Sequence, residues 1–245
     1  MQFGQQGQRS SHETPEANFA PGMYGDPRAS LKNDVGQFMS GVMAWMSAGI
    51  GVTAAVAMLV GSNPELLAQL FATPMKWVML FGPVAFVWIV GSKIPSMSRQ
   101  GAVGSFLFYA GLMGAALSPI MVIYSPETLV TCLVGTSAMF AGTAAFGYLT
   151  KRDLSTMGRI LMMMFWGLLA MWVVSLFVEG VYWYVALIGL PLFAGLTAWD
   201  TQKIKQAYLQ RGGQGNLAVF GALMLYIDFV NMFIFMLRLF GGSRD

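Results

Sequence analysis

The sequence predicts an all-α integral membrane protein that crosses the bilayer seven times. Of the 245 residues, 56% are hydrophobic and 10% charged, and the mean hydropathy is +0.60. A soluble domain of this length carries roughly 25% charged residues, so the surplus apolar surface must face lipid. Apolar runs recur at 38–61, 75–91, 104–124, 129–148, 158–178, 182–200 and 217–239. Each is near the ~20 residues a helix needs to cross ~30 Å of hydrocarbon. The third observation is where the cations fall.

With the N-terminus on the cytoplasmic side, the inner segments hold Arg9, Arg28, Lys32, Lys93, Arg99, Lys151, Arg152, Arg159, Lys203, Lys205 and Arg211. The outer side holds Lys76, Arg238 and Arg244, which completes the 14 Lys and Arg of the chain. That bias obeys the positive-inside rule and places the C-terminus outside. Tyr182, Trp183 and Tyr184 open the sixth run where interfacial aromatics belong. The bias and the lack of a cleavable targeting segment favour a bacterial inner membrane.

Taken in order, residues 1–34 form a Gln-, Gly-, Ser- and Pro-rich segment without a periodic apolar face, read as a flexible polar tail before a transmembrane domain over 35–245. The second run is the shortest and is interrupted by Gly82-Pro83, which allows a kinked or re-entrant helix. Pro119, late in the third run, removes a helical hydrogen bond and frees a carbonyl near Ala115 or Ala116. Gly111 with Ala115, and Ala138 with Gly142, are small residues at four-residue spacing that would let helices approach closely.

Several chemistries are excluded. Cys132 is the only cysteine and lies in an apolar run, so it reads as a core residue without a disulfide partner or thiolate site. His12, the only histidine, sits in the polar segment and leaves the membrane domain without imidazole catalysis. The 20 methionines read as deformable packing. Scattered cations do not make a nucleic-acid stripe. There is no phosphate-binding glycine loop, no Walker lysine and no Ser-His pairing, and no cofactor is expected.

Asp200 and Asp228 are the acidic residues that fall within, or at the deep end of, a span. A carboxylate at the centre of a membrane helix costs on the order of 2.5–3.5 kcal/mol on insertion scales. If the sixth helix ends near Gln210 and the seventh begins near Leu217, Asp200 lies about 15 Å and Asp228 about 16 Å from the connecting turn. Antiparallel neighbours would then hold both carboxyls at one depth. Thr197, Thr201 and Asn231 stand beside them as hydrogen-bonding support. Two carboxyls in low dielectric cannot both ionise cheaply, so they would share a proton and titrate as a pair. Such a pair is a proton-sensitive latch, a weak transient calcium site, or a hydrogen bond that merely joins two helices.

The stretches GLTAWDTQKIK (195–205), GALMLYIDFVNMFIFMLRLFG (221–241) and TKRDLS (150–155) resemble the signature of the Bax inhibitor-1 family, also called the transmembrane Bax-inhibitor-motif family. The resemblance covers roughly 24–241 and leaves the polar segment unmatched. It implies a seven-helix bundle with the last helix central, and a pH-sensitive calcium leak in which Asp200 and Asp228 share a proton when closed and separate when ionised. Calcium and protons are then cargo and signal, and a membrane protease is a further implied partner. Two departures stand out. Some members carry an acidic residue in the second span, where this chain has Gly82-Pro83, and some carry an arginine cluster after it, for which Lys93 and Arg99 are approximate counterparts as a cationic latch.

Two other classes compete with the leak. One is a non-conducting regulator of a membrane partner. The other is an intramembrane aspartyl protease, which also places one Asp on each of two spans. Asp228 follows Tyr226-Ile227 where that chemistry needs Gly-x-Gly, so the expectation is not an enzyme.

Overall fold

The computed structural model describes residues 27–178, 180–212 and 215–241. Its helices are α1 (Pro27–Gly61), α2 (Pro64–Phe71), α3 (Met75–Val90), α4 (Arg99–Leu117), α5 (Ile120–Ile123), α6 (Pro126–Leu149), α7 (Ser155–Ser175), α8 (Val181–Arg211) and α9 (Leu217–Phe240). A 3₁₀ turn at Gly91–Ser96 prolongs α3. Seven segments are long and apolar enough to cross a membrane, and they coincide with the seven predicted runs. The protein is a multi-pass α-helical membrane protein.

Boundaries differ from expectation in ways with simple causes. Most of the polar segment, His12 included, lies outside the described residues, but α1 already starts at Pro27 and runs through the last part of 1–34. Proline is favoured in a first helical turn, where its missing N–H costs nothing. The second run is lengthened to 22 residues by the 3₁₀ turn, and Pro83 is tolerated inside α3. α2 was not expected: eight residues are too few to register as a span. Asn63 caps it by accepting from the Glu65 and Leu66 amides, with Pro64 at its first position.

Pro119 ends α4 rather than opening a polar path. The Ala115 carbonyl accepts the Ser118 hydroxyl at 2.8 Å and the Ser118 amide at 3.3 Å. The chain then resumes as α5. Cys132 is buried in α6, as expected of a packing residue.

The last helix is central. Over an apolar 18-residue stretch of each span, buried positions make up 61% in α9 and 50% in α8, against 11–28% in the other five. α9 packs against α8, α1, α6 and α4, while α7 packs mainly on α8 and meets α3 through the Phe81–Trp172 and Trp88–Trp166 ring pairs. The close approaches are made by glycines other than those the spacing suggested. A Cβ at Gly111 or Gly142 would meet nothing within 4 Å, because both face outward. A Cβ at Gly147 would run into the Ala198 backbone of α8, one at Gly158 into the Trp199 ring, and one at Gly114 into the Thr53 backbone of α1. Contact is therefore closest where α6, α7 and α8 meet.

This contrast is testable. Gly147→Ala forces α6 off α8 and should lower stability by about 1–3 kcal/mol, as overpacking does, read as a fall in Tm in detergent. Gly142→Ala should leave Tm unchanged or raise it, since alanine is the better helix former.

Candidate functional site

α8 and α9 form the most extensive helix pair, antiparallel across a five-residue connection. Their register can be followed contact by contact. Phe193 packs at a tilt against Phe235 at 5.8 Å, Thr197 meets the Met232 sulfur at 3.5 Å, and Ile204 lies against Gly221. Asp200 and Asp228 fall between these contacts, near enough for their charges to repel. Asp200 is eleven residues before the end of α8 and Asp228 eleven after the start of α9. At 1.5 Å per residue both lie about 16 Å from the turn, so the depth argument gave the right pairing.

Both aspartates are buried, Asp200 to 9% exposure and Asp228 to 4%. Asp200 Oδ1 and Asp228 Oδ2 have no hydrogen-bond partner among the described residues. The cation nearest in effect is Lys203, one turn along α8, exposed and held over the Trp199 ring at 4.8 Å. The Thr197 hydroxyl faces Asp228.

Of the expected supporting residues, Thr201 and Asn231 turn to their own helices, while Thr197 keeps its hydroxyl against Asp228 as well. Thr197 donates to the Phe193 carbonyl at 2.8 Å, Thr201 to the Thr197 carbonyl at 2.7 Å, and Asn231 to the Ile227 carbonyl at 2.8 Å. Each satisfies its own helix one turn back, the usual choice of a short polar side chain in a membrane helix. The Thr197 hydroxyl has one proton and three acceptors within reach: the Phe193 carbonyl, the Met232 sulfur and the Asp228 carboxyl. Lys93, in the 3₁₀ turn, and Arg99, the first residue of α4, are exposed and make no ion pair with either aspartate. Nothing in this conformation joins them to the pair.

Polar residues not singled out in the sequence hold the site in place. Tyr226, two residues before Asp228, is fully buried, and its hydroxyl lies 2.5 Å from the Thr53 hydroxyl of α1, which also contacts the Ala110 carbonyl of α4 at 2.9 Å. Phe106 and Tyr109 pack edge-on against the same ring. Two residues after Asp200, the buried Gln202 accepts the Leu154 amide at 2.9 Å and donates to the Arg152 carbonyl at 2.8 Å. Asn216 donates to the Met97 carbonyl at 2.6 Å, tying the α8–α9 turn to the end of the 3₁₀ segment. The signal for Gln202 was its place inside a motif that otherwise pointed only at Asp200.

Seven spans, the two most buried of which each contribute one carboxyl, define a multi-pass membrane protein with an intramembrane acidic centre. Residues 35–245 match the family described as Inhibitor of apoptosis-promoting Bax1. The chain is 34% identical to a protein of Caulobacter vibrioides, covering 89% of this chain and 94% of that one. It is 33% identical to the inner membrane protein YbhL of Escherichia coli K12, over 89% and 95% of the two chains, and 35% identical to YrjE of Lactococcus lactis, over 85% and 93%. The chain belongs to the Bax inhibitor-1 family.

Gln202→Ala removes both anchors of the 150–154 turn. Exchange of the Leu154 amide should then accelerate about tenfold, the equivalent of about 1.4 kcal/mol for a lost buried hydrogen bond, in hydrogen-exchange mass spectrometry of the detergent-solubilised protein. Unchanged protection would show that the turn is held by other contacts.

Proposed function

We propose that this protein is a passive calcium leak of a bacterial inner membrane, closed by a proton held between Asp200 and Asp228, and not an enzyme. The observation that carries the reading is the pair of unpartnered carboxyl oxygens, one from each of the two most buried helices. A single proton between the carboxyls supplies the missing donor and removes one charge from low dielectric. Thr197, whose hydroxyl can donate or accept, can hydrogen-bond Asp228 in either protonation state.

Loss of the shared proton leaves two negative charges on adjacent helices, and repulsion then favours their separation. The same two charges attract a divalent cation into the gap. Among the described residues no cluster of three His, Cys, Asp or Glu side chains is present, and tight calcium binding needs six to eight oxygens. Two carboxylates with threonine and carbonyl oxygens suit brief residence, which conduction requires. The sign follows: retained protons close the path at low pH, and flux rises as pH rises through the titration of the pair.

Protein reconstituted in dye-loaded liposomes should admit more calcium at about pH 8 than at about pH 6. Asp228→Asn and Asp200→Asn keep the shape of the pair but cannot ionise at that position, so each should flatten the response. Unaltered flux and pH dependence in both variants would remove the assignment.

The relative from Escherichia coli carries the name inner membrane protein, and the cation bias supports an inner-membrane topology with the N-terminus in the cytoplasm. In a Cys132→Ser background, Thr156→Cys should react with an impermeant thiol reagent only after permeabilisation, and Ser62→Cys in intact cells. The reverse pattern would invert the topology.

A further inference from the structure

Beside the α6–α7 turn lies a cleft of about 170 Å³ that the aspartate pair does not use. Its wall includes Lys151, Arg152, Asp153, Gln202, Lys205 and Gln206. The resemblance singled out the first three within TKRDLS but gave them no role. The cleft holds three cations against one carboxylate.

Cations on a solvated turn are usually free to move, but here the Arg152 backbone and the Lys205 side chain are held. Gln202 fixes the peptides on either side of Asp153 through Arg152 and Leu154. Gly147 brings the end of α6 against the α8 backbone. Lys205 donates to the Tyr148 carbonyl at 2.7 Å and sits 4.6 Å over the Tyr148 ring, leaving two ammonium protons for another acceptor. The carboxylate of Asp153 accepts the Ser155 amide at 2.9 Å. That serine, with Arg159 adding a smaller pull, holds the acid below the usual carboxylate range. Its charge is thus occupied by the start of α7, whereas Lys151 and Arg152 are exposed and have no ion pair.

We propose that this cleft binds a phosphate group, with Arg152 and Lys151 as the principal cations, Lys205 as the third, and the phosphate of an anionic lipid headgroup as the favoured source. Guanidinium forks and ammonium groups suit phosphate oxygens, and 170 Å³ exceeds the volume of several waters at about 30 Å³ each. The apolar flank points to lipid: Leu209 lines the cleft, and it and Leu149 nearby are exposed at 48% and 72%, where acyl chains would run. Free inorganic phosphate offers the same oxygens without that flank. The site is independent of proton gating.

The test uses the full-length protein in neutral detergent, with Tm followed against a short-chain phosphatidylglycerol, the diacylglycerol that lacks its phosphate, and inorganic phosphate at matched ionic strength. Phosphatidylglycerol should raise Tm and diacylglycerol should not. Lys151→Gln with Arg152→Gln should weaken the apparent affinity about tenfold or more, the scale of one lost charge-assisted contact. Lys203→Gln with Arg211→Gln, which removes the same charge outside the cleft, should leave it unchanged. Tighter phosphatidylglycerol than phosphate assigns the site to a headgroup, and equal affinities assign it to a soluble anion. Equal loss in both double variants, or none in either, overturns the site.

Discussion

The bilayer offers no water to a polar group, and that requirement shapes this structure more than any single contact. Each intramembrane donor and acceptor has to be satisfied within the protein. The hydroxyls comply locally: Thr131, Thr136, Thr143, Ser175, Thr197 and Thr201 all donate to carbonyls three or four residues back on their own helices. Thr53 and Tyr226 comply across helices, joining α1, α4 and α9. Against that background, Asp200 Oδ1 and Asp228 Oδ2 are the buried side-chain oxygens or nitrogens left without a partner among the described residues. Their isolation is informative because the buried hydroxyls nearest them have carbonyl acceptors on their own helix.

The same constraint explains why α9 is central. A helix bearing a carboxyl, an asparagine and a buried tyrosine cannot face lipid on those sides. It has to be enclosed by α8, α1, α6 and α4, and the outer helices then carry the lipid-facing surface. Exposed Trp88, Phe108, Phe146 and Trp166 are the product of that division, not unfilled binding surface.

Much of this was legible in the sequence, and the reasons are physical. Span number follows from hydrocarbon thickness, and the pairing of Asp200 with Asp228 from a fixed rise per residue on two arms of equal length. What failed to show depends on direction. Four-residue spacing identified Gly111 and Gly142, but spacing does not say which face meets a neighbour, and both meet none. Thr197, Thr201 and Asn231 were placed correctly along the helices, yet the proximity of the i−4 carbonyl decided where their protons went. α2 escaped for another reason: a search tuned to spans passes over an eight-residue helix even when Asn63-Pro64-Glu65 marks its start.

α8 connects the acidic centre to the turn between α6 and α7. Its 31 residues extend about 46 Å, well beyond the ~30 Å of hydrocarbon, so one continuous helix carries Asp200 at depth and Lys205 and Arg211 toward the interface. Gln202 is less than one turn from Asp200 and grips the 150–154 backbone at two points, while Tyr226 is less than one turn from Asp228 and is held by Thr53. The two carboxyls are therefore borne by differently anchored helices: α8 fastened to the α6–α7 turn, α9 to α1 and α4. In the proposed leak, repulsion between the ionised aspartates would act across the boundary between those two groups. Separation there need not break the anchor on either side, but it must shear the Phe193–Phe235 and Thr197–Met232 contacts that flank the pair. These are apolar and sulfur contacts without strict geometry, and a seam of that kind can reclose when the proton returns.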